Sequence, residues 1–312
     1  MQILDGRRPE NLHFRWSADL NPALRLQDGE TFHLIAPDSS TWQLTADSTT
    51  EDLGKIDAER LDGAVGPVFV EGAEPGDLLR VDVVDLKIGF WGWSAIISDF
   101  GFLKNRFQQR LVIWDIDGGY ATTRGDFLKG VRVPVSPFFG VMGVAPADGS
   151  YGMIPPQYFG GNMDNKLHVK GSSVFLPVSR KGAMLSVSDP HASQGDGEIC
   201  GTAIEVTAEA DLRLSVVKGR TIPFPRSLSP PFNRGEVFSA YGIGRNLECA
   251  ASAAVENAIK MLSEMGFSMD EAYVLCSVAG DMRVSEIVDE PNIVVTMAIP
   301  AEVVGGRRPW PY

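Results

Sequence analysis

One short segment of the sequence carries most of the side chains that could perform chemistry. Residues 186–198 read SVSDPHASQGDGE and contain Asp189, His191, Gln194 and Glu198. Asp189 and His191 are two positions apart, so on an extended backbone both side chains face the same side and can bind one ion. Carboxylate and imidazole groups are standard zinc ligands, and three protein ligands leave a position for water. The alternative is a hairpin turn with solvated side chains, because Asp and Gly are ordinary turn residues.

Two other segments hold candidate site residues. The sequence GGNMD at residues 160–164 contains Asn162 and ends in Asp164, whose carboxylate is a further candidate ligand. A plain turn is the alternative for this segment. His13 lies in the sequence HFRW near the N-terminus and is the third candidate. Its alternative is a packed or capping side chain.

The composition excludes several classes of partner. Asp and Glu number 40 and Lys and Arg 28, which gives a net charge of −12. This charge repels phosphate backbones and anionic lipids, so we expect neither nucleic acid nor a membrane surface as a partner. The sequence shows no signal-peptide pattern and no stretch of about 18 apolar residues, so we expect no transmembrane helix. The three cysteines, Cys200, Cys249 and Cys276, form no CxxC pair, which predicts mostly buried, reduced thiols in a cytoplasmic protein.

The hydrophobic pattern predicts a fold that is mainly β with an α+β C-terminal part. Residues 77–87 alternate in polarity as a half-buried strand does. An Ala-rich helix is predicted from Asn246 to Met265, and a second helix is expected to begin after Ser268. Further strands are predicted at Phe32–Ile35, Val174–Val178, Met184–Val187, Ala203–Val206, Leu212–Val217 and Ile293–Ile299.

The order of these elements predicts two regions. Residues 1–220 form a β-rich region that carries the candidate site, and residues 221–312 form an α+β region. The Pro-rich segment 220–235 either links the two regions or forms a long ordered loop. No GxSxG, HExxH or P-loop motif is present, and the glycines at 242 and 244 lack the third glycine of a dinucleotide-binding motif.

A series of motifs lies in a fixed order along the chain. They are GVMGVAP at 140–146, PP at 155–156, GGNMD at 160–164, GS and LPV within 171–178, residues 186–198, TAIE at 202–205, VEGAEPGD at 70–77, the segment from His13 to Pro22, and residues 272–299. These motifs and their order resemble those of the acetamidase/formamidase family. One residue departs from the family pattern, because Ser188 stands where the family usually has glycine before Asp189. A positive φ at this position would cost serine about 1 kcal/mol more than glycine.

The resemblance implies the hydrolysis of short aliphatic amides, of the formamide and acetamide type, to carboxylate and ammonia. It also implies a β/β/α architecture, homo-oligomers and a divalent metal ion, with zinc as the expected metal. The apolar, aromatic segment at residues 90–102 is then either a subunit contact or an internal strand.

Residue types and resemblance together support one mechanistic hypothesis. Zn²⁺ is held by Asp164, Asp189 and His191, where it lowers the pKa of a water molecule and polarises the amide carbonyl. Glu198 takes the proton of the water and delivers it to the leaving amine. Gln194 or Asn162 orients the substrate amide. His13 completes the metal shell or stabilises the oxyanion, and the roles of Glu198 and His13 can be exchanged.

Two other functions remain open at this point. The first is a non-catalytic binding protein whose 186–198 loop is stabilised by Ca²⁺, an ion that prefers oxygen ligands. The second is a related hydrolase of a larger amide or a guanidinium-type substrate. Aromatic side chains that could line such a pocket are Phe138, Phe139, Tyr158, Phe159 and those of residues 90–93.

Overall fold

The described part of the chain, residues 1–230 and 235–309 of a computed structural model, consists mostly of β-strands. In the N-terminal half the strands are β1 (Gln2–Asp5), β2 (Leu12–His13), β3 (Trp16–Ser17), β4 (Leu24–Leu26), β5 (Thr31–Ala36), β6 (Ala64–Val70), β7 (Leu78–Ile96), β8 (Arg110–Asp117), β9 (Tyr120–Thr123), β10 (Val133–Pro134), β11 (Phe138–Gly143) and β12 (Ser150–Tyr151). They are followed by β13 (Gly160–Asn162), β14 (Ser173–Pro177), β15 (Ala183–His191), β16 (Glu205–Val217), β17 (Arg226–Ser229), β18 (Val237–Gly244), β19 (Asp281–Glu286) and β20 (Ile293–Pro300). Two α-helices, α1 (Leu247–Glu264) and α2 (Met269–Val278), lie between β18 and β19. The predicted fold class, mainly β with helices near the C-terminus, is confirmed.

Hydrogen bonds join 18 of the described strands into one sheet, and β3 with β12 forms a separate pair. Most neighbours are antiparallel, whereas β1–β5 and β4–β6 are parallel. The long strand β7 is the common partner of β8, β14 and β16. Its alternating pattern was visible in the sequence, but the aromatic run that follows extends the same strand to Ile96. The two strands predicted at Ala203–Val206 and Leu212–Val217 are one strand, β16, which begins at Glu205.

The main core lies between the strands that carry the candidate site. Strands β5, β6, β7, β11, β14, β15 and β16 each contribute fully buried aliphatic side chains to it. Burying one such side chain stabilises the fold by about 1.5–3 kcal/mol relative to leaving it exposed. Because strands β11 and β15 are anchored on this core, their ends are held in fixed positions.

Helix α1 packs directly on β18 and β20 through small residues. Its buried face includes Ala250, Ala254 and Ala258, and Asn246 caps its N-terminus by accepting a hydrogen bond from the Cys249 amide. A Cβ atom on Gly242 of β18 would lie 2.1 Å from the carbonyl oxygen of Ala250. The glycine in this segment therefore permits close helix–strand contact.

Part of the predicted linker is regular structure. Within residues 220–235, strand β17 pairs with β14 on one side and β18 on the other, so a loop over the whole segment is wrong. Residues 231–234 of that segment lie outside the described residues. The division at residues 220 and 221 remains a prediction.

Two features bear on the redox compartment of the protein and on its relation to a membrane. Cys276 is buried as expected, but Cys200 and Cys249 are exposed, so the prediction of mostly buried thiols is wrong. Cys200 lies in the loop before β16 and Cys249 in the first turn of α1, and such loops and helix ends face solvent more often than the centres of strands and helices do. In residues 1–230 and 235–309 no helix has both the length and the apolar character needed to cross a membrane.

Candidate active site

The three predicted metal ligands converge on one backbone position. Asp189 and His191 end strand β15, which pairs with β11, and Asp164 follows β13, which pairs with the other edge of β11. A Cβ atom on Gly140 of β11 would lie 2.4 Å from Asp164 Oδ1, 2.6 Å from Asp189 Oδ2 and 3.1 Å from His191 Cε1. Only a residue without a side chain fits here. The DPH sequence is thus the end of a buried strand and not a hairpin turn.

The hydrogen bonds of His191 orient its ring. Its Nδ1 lies 2.9 Å from Gln194 Oε1, while Gln194 Nε2 donates to the backbone carbonyls of Asp164 and Ser285. Gln194 Oε1 can only accept, so Nδ1 carries a hydrogen and Nε2 is the atom that faces the site. That Nε2 lies 3.0 Å from an oxygen of Asp189 and 3.0 Å from an oxygen of Glu205. A nitrogen between two carboxylates requires a proton or a cation there.

Two groups of side chains have the spacing of metal ligands, and both contain His191. The first is Asp164, His191 and Glu198, and the second is Asp189, His191 and Glu205, with ligand atoms within 4.8 Å of one another in each. Both carboxylate oxygens of Asp164 and Oδ1 of Asp189 are buried without a hydrogen-bond donor. Buried anionic oxygens without a donor are costly unless a cation neutralises them. The residues present therefore fit a divalent metal ion.

Four further acidic residues surround the site, and reasoning from the sequence missed them as site residues. Glu205 accepts hydrogen bonds from Ser39 Oγ and the Ala203 amide, which aims its carboxylate at His191. Asp289 accepts a hydrogen bond of 2.8 Å from Asn162 Nδ2. Asp62 and Glu286 are also buried beside them. Glu205 belongs to the TAIE motif and Asp289 to the VDEPN stretch, so these motifs gave a sequence signal for the two residues. No motif in the sequence marks Asp62.

Burial and mutual repulsion shift the pKa values of this cluster. Burial raises the pKa of Asp164 and of Asp189 to about 6. It raises the pKa of Glu198 well above the ordinary glutamate value, and the nearby Asp164 carboxylate adds to the effect. For His191, burial opposes the charged form, but the Asp189 and Glu205 carboxylates outweigh it and raise the pKa well above its usual value. The site thus binds extra protons when no cation is present.

Several of these acids also have an unusual backbone conformation. Asp62, Asp164, Asp189 and Glu198 have φ values of +50°, +41°, +53° and +46°. Non-glycine residues rarely adopt this left-handed conformation, and it is concentrated at functional sites. Ser188 is not among the residues with positive φ, so the cost expected at that position does not arise. Its hydroxyl instead donates a hydrogen bond of 2.7 Å to the Gly63 carbonyl.

The remaining predicted residues lie in different surroundings. Asn162 lines the cavity beside the acids, and its Oδ1 is buried without a donor. Gln194 uses both ends of its amide within the protein, as described above. His13 Nε2 lies 2.7 Å from Ser186 Oγ, its Nδ1 lies 3.0 Å from the Arg15 carbonyl, and it belongs to neither ligand group. Burial lowers the pKa of His13 to about 4.

A cavity of about 310 Å³ opens beside the acidic cluster, and both acidic and apolar side chains line it. The acidic and polar residues are Asp62, Asn162, Asp164, Asp189, Glu198, Glu205 and Asp289. The apolar residues, which form the apolar lining of the cavity, are Leu53, Ile56, Ala58, Leu61, Trp93, Ile97, Phe100 and Ile154. A small molecule in this cavity would contact both the candidate catalytic groups and hydrocarbon.

The raised pKa of Asp164 predicts a pH-dependent effect of Asp164→Asn in metal-free protein. The ionised form is disfavoured in the folded state, so the wild type loses stability as pH rises from the ordinary value of 3.8 to about 6. Because the variant has no ionisable group at this position, we expect it to be more stable than the wild type at pH 7, by at least about 1 kcal/mol, but not at pH 3.5. Chemical unfolding of chelator-treated proteins at both pH values measures the difference. An equal difference at the two values would contradict the assignment.

Comparisons with known proteins agree with the resemblance noted in the sequence. The family model described as "Acetamidase/Formamidase family" matches residues 5–151 and 147–305. The chain is 29% identical over 364 residues to a formamidase of Methylophilus methylotrophus, covering 94% of this chain and 89% of the relative. It is 29% identical over 344 residues to an acetamidase of Mycolicibacterium smegmatis, covering 84% of each. The solved acetamidase from Bacillus halodurans has a TM-score of 0.88 at 29% identity, covering 98% of this chain and 99% of that one.

Proposed function

This chain belongs to the acetamidase/formamidase family and is an amidohydrolase, and from that premise we propose that it is a metal-dependent hydrolase of short aliphatic amides. The substrates are of the formamide and acetamide type, the names that its relatives carry. The reaction adds one water across the C–N bond and yields a carboxylate and ammonia. The family match covers nearly the whole chain, which also supports the earlier expectation of an enzyme over a pure binding protein.

The observation that carries metal dependence is the group of unsatisfied ligand atoms around Gly140. Asp189, His191 and Glu205 would hold the ion, with the unpaired oxygens of Asp164 directed at the same place. This extends the predicted ligand set of Asp164, Asp189 and His191 by Glu205. Imidazole and carboxylate ligands suit Zn²⁺ better than Ca²⁺, which prefers oxygen alone. When bound, Zn²⁺ supplies Lewis acidity toward water and the amide carbonyl.

The chain's own residues then perform the proton transfers and the positioning. Glu198 lines the cavity, and we assign it the role of accepting a proton from the attacking water and passing it to the amide nitrogen as the C–N bond breaks. The unpaired Asn162 Oδ1 accepts a hydrogen bond from the substrate amide N–H. Gln194 is a positioning residue for His191, not a substrate contact. His13 contacts Ser186 and not the cavity, which favours Glu198 over His13 as the base.

Removing the metal tests this proposal. We expect chelator-treated protein to release ammonia from acetamide at the background rate and to recover activity with one equivalent of Zn²⁺ but not with Ca²⁺. Chelation removes the Lewis acid, so the loss should appear in kcat. Ammonia release is measured alongside metal content by elemental analysis. Full turnover in protein shown to be metal-free would exclude metal dependence.

The alternative of a structural calcium site requires a separate experiment. Asp189→Asn removes one ligand charge without changing the shape of the side chain. For a catalytic site we expect turnover to be lost with a small change in Tm. For a structural ion site, the variant would instead lose several degrees of Tm together with its calcium dependence.

The location and assembly of the protein are part of the same proposal. We propose a cytoplasmic homo-oligomer, supported by the cysteines, which are free, and by exposed aromatic residues such as Phe90 and Phe107. Light scattering on the purified protein measures the assembly state. A monomer at micromolar concentration would contradict it.

A further inference from the structure

We propose that the apolar lining of the cavity selects primary amides whose acyl group carries an apolar substituent of about four to seven carbons, in preference to acetamide. This inference rests on the proposed amide hydrolysis and adds the substrate class. It is carried by the size of the cavity and by the apolar side chains that line it together with the acids.

The cavity is larger than acetamide requires. Its volume of about 310 Å³ is at the small end of the range for pockets that hold drug-sized ligands. At about 30 Å³ per heavy atom, the share of a water molecule in the liquid, it has room for roughly ten heavy atoms. Acetamide has four. Because three heavy atoms belong to the amide group that must reach the acids, the remaining space accommodates about seven carbons.

Side chains of the apolar lining pack against one another and are held in place by their neighbours. Trp93 is only 3% exposed, and its indole Nε1 donates a hydrogen bond of 3.1 Å to Asp38 Oδ1, which fixes the ring. Leu53, Ile56 and Ile97 pack against the same buried cluster as Trp93. These three side chains are only partly buried, so an apolar group bound here would shield them from water.

The acidic residues give the substrate its direction. The carboxylates of Asp189, Glu198 and Glu205 line the same cavity as the hydrocarbon side chains, and the amide end of a substrate must face these carboxylates in order to react. An acyl group that carries its own carboxylate would be repelled by the same residues. The selected substrates are therefore uncharged amides with an apolar tail.

A series of amides of increasing chain length tests the inference on the metal-loaded enzyme. With acetamide, propanamide, butanamide, pentanamide and hexanamide, we expect kcat/KM to rise about fourfold for each methylene group that is buried. Benzamide should also be hydrolysed faster than acetamide, whereas succinamic acid, which bears a carboxylate, should be hydrolysed more slowly. A fall in kcat/KM from acetamide onward would overturn the inference. No ammonia from any amide would instead refute the proposed function.

A larger side chain in the apolar lining provides a second test, because it reduces the space for a long acyl group. Ile97→Trp should lower the ratio of kcat/KM for hexanamide to kcat/KM for acetamide at least tenfold. Ile3→Trp is the control, because Ile3 is 64% exposed and does not line the cavity. Retained acetamide turnover shows that the variant is folded. An equal loss for both amides in Ile97→Trp, or no change for either, would contradict selection by this surface.

Discussion

Replacing Glu198 with glutamine is expected to lower kcat for acetamide by about a thousandfold and to change KM by less than about threefold. Glutamine keeps the shape of the side chain but can neither accept the proton of the water nor pass it to the departing nitrogen. A positioned general acid–base group contributes typically 10²–10⁴-fold to the rate. Because the proton moves in the transition state, the loss falls on kcat. Steady-state ammonia release separates the two constants.

Asp196→Asn is the matched control for this experiment. Asp196 lies in the same loop and makes ion pairs with Lys166 and Arg283, but it does not line the cavity. We expect its activity to stay within about twofold of the wild type. If Glu198→Gln retains more than a tenth of the wild-type kcat, Glu198 is not the base, and Asp289 and Asp62 become the next residues to test.

Gly140→Ala is the second substitution with a large expected effect. The new methyl group would lie 2.4 Å from Asp164 Oδ1 and 2.6 Å from Asp189 Oδ2, distances that real Cβ contacts do not show. Because β11 is held by its neighbours on both sides, we expect the carboxylates to move and the strand to stay. The variant should bind less than a tenth of an equivalent of zinc and lose at least a thousandfold in kcat/KM.

Gly195→Ala separates this effect from a general intolerance to change at motif glycines. Gly195 lies in the same motif as His191, but a Cβ atom there meets nothing within 4 Å and its φ is not positive. Normal metal content and activity are expected. Elemental analysis and circular dichroism on both variants make the comparison. A fully active Gly140→Ala enzyme would show that Asp164 and Asp189 do not share one ion.

The fold was predictable where the local sequence determines the element. The Ala-rich run from Asn246 to Met265, the helix start after Ser268 and the alternating pattern of residues 77–87 each depend on neighbouring residues alone, and the elements they predict are present. The joining of two predicted strands into β16 was not predictable in this way. It depends on pairing with β5 and β7, which are distant in sequence.

The candidate site was predictable only in part, for a related reason. Asp164, Asp189 and His191 stood out because glycine-rich motifs surround them, and the structure brings them together around Gly140. Asp62 has ordinary neighbours in the sequence, and only the tertiary structure brings it to the cavity. The sequence also could not show that Gln194 turns its amide toward His191 and away from a substrate. Such orientation depends on the backbone carbonyls of Asp164 and Ser285.

The position of Asp289 has a consequence for the order of events during synthesis. This residue lies between the last two strands, yet it binds Asn162, far earlier in the chain, and lines the same cavity. A nascent chain therefore carries an incomplete pocket until the residues up to Asp289 have left the ribosome. The candidate site is completed only when this segment joins the strands that were synthesised before it.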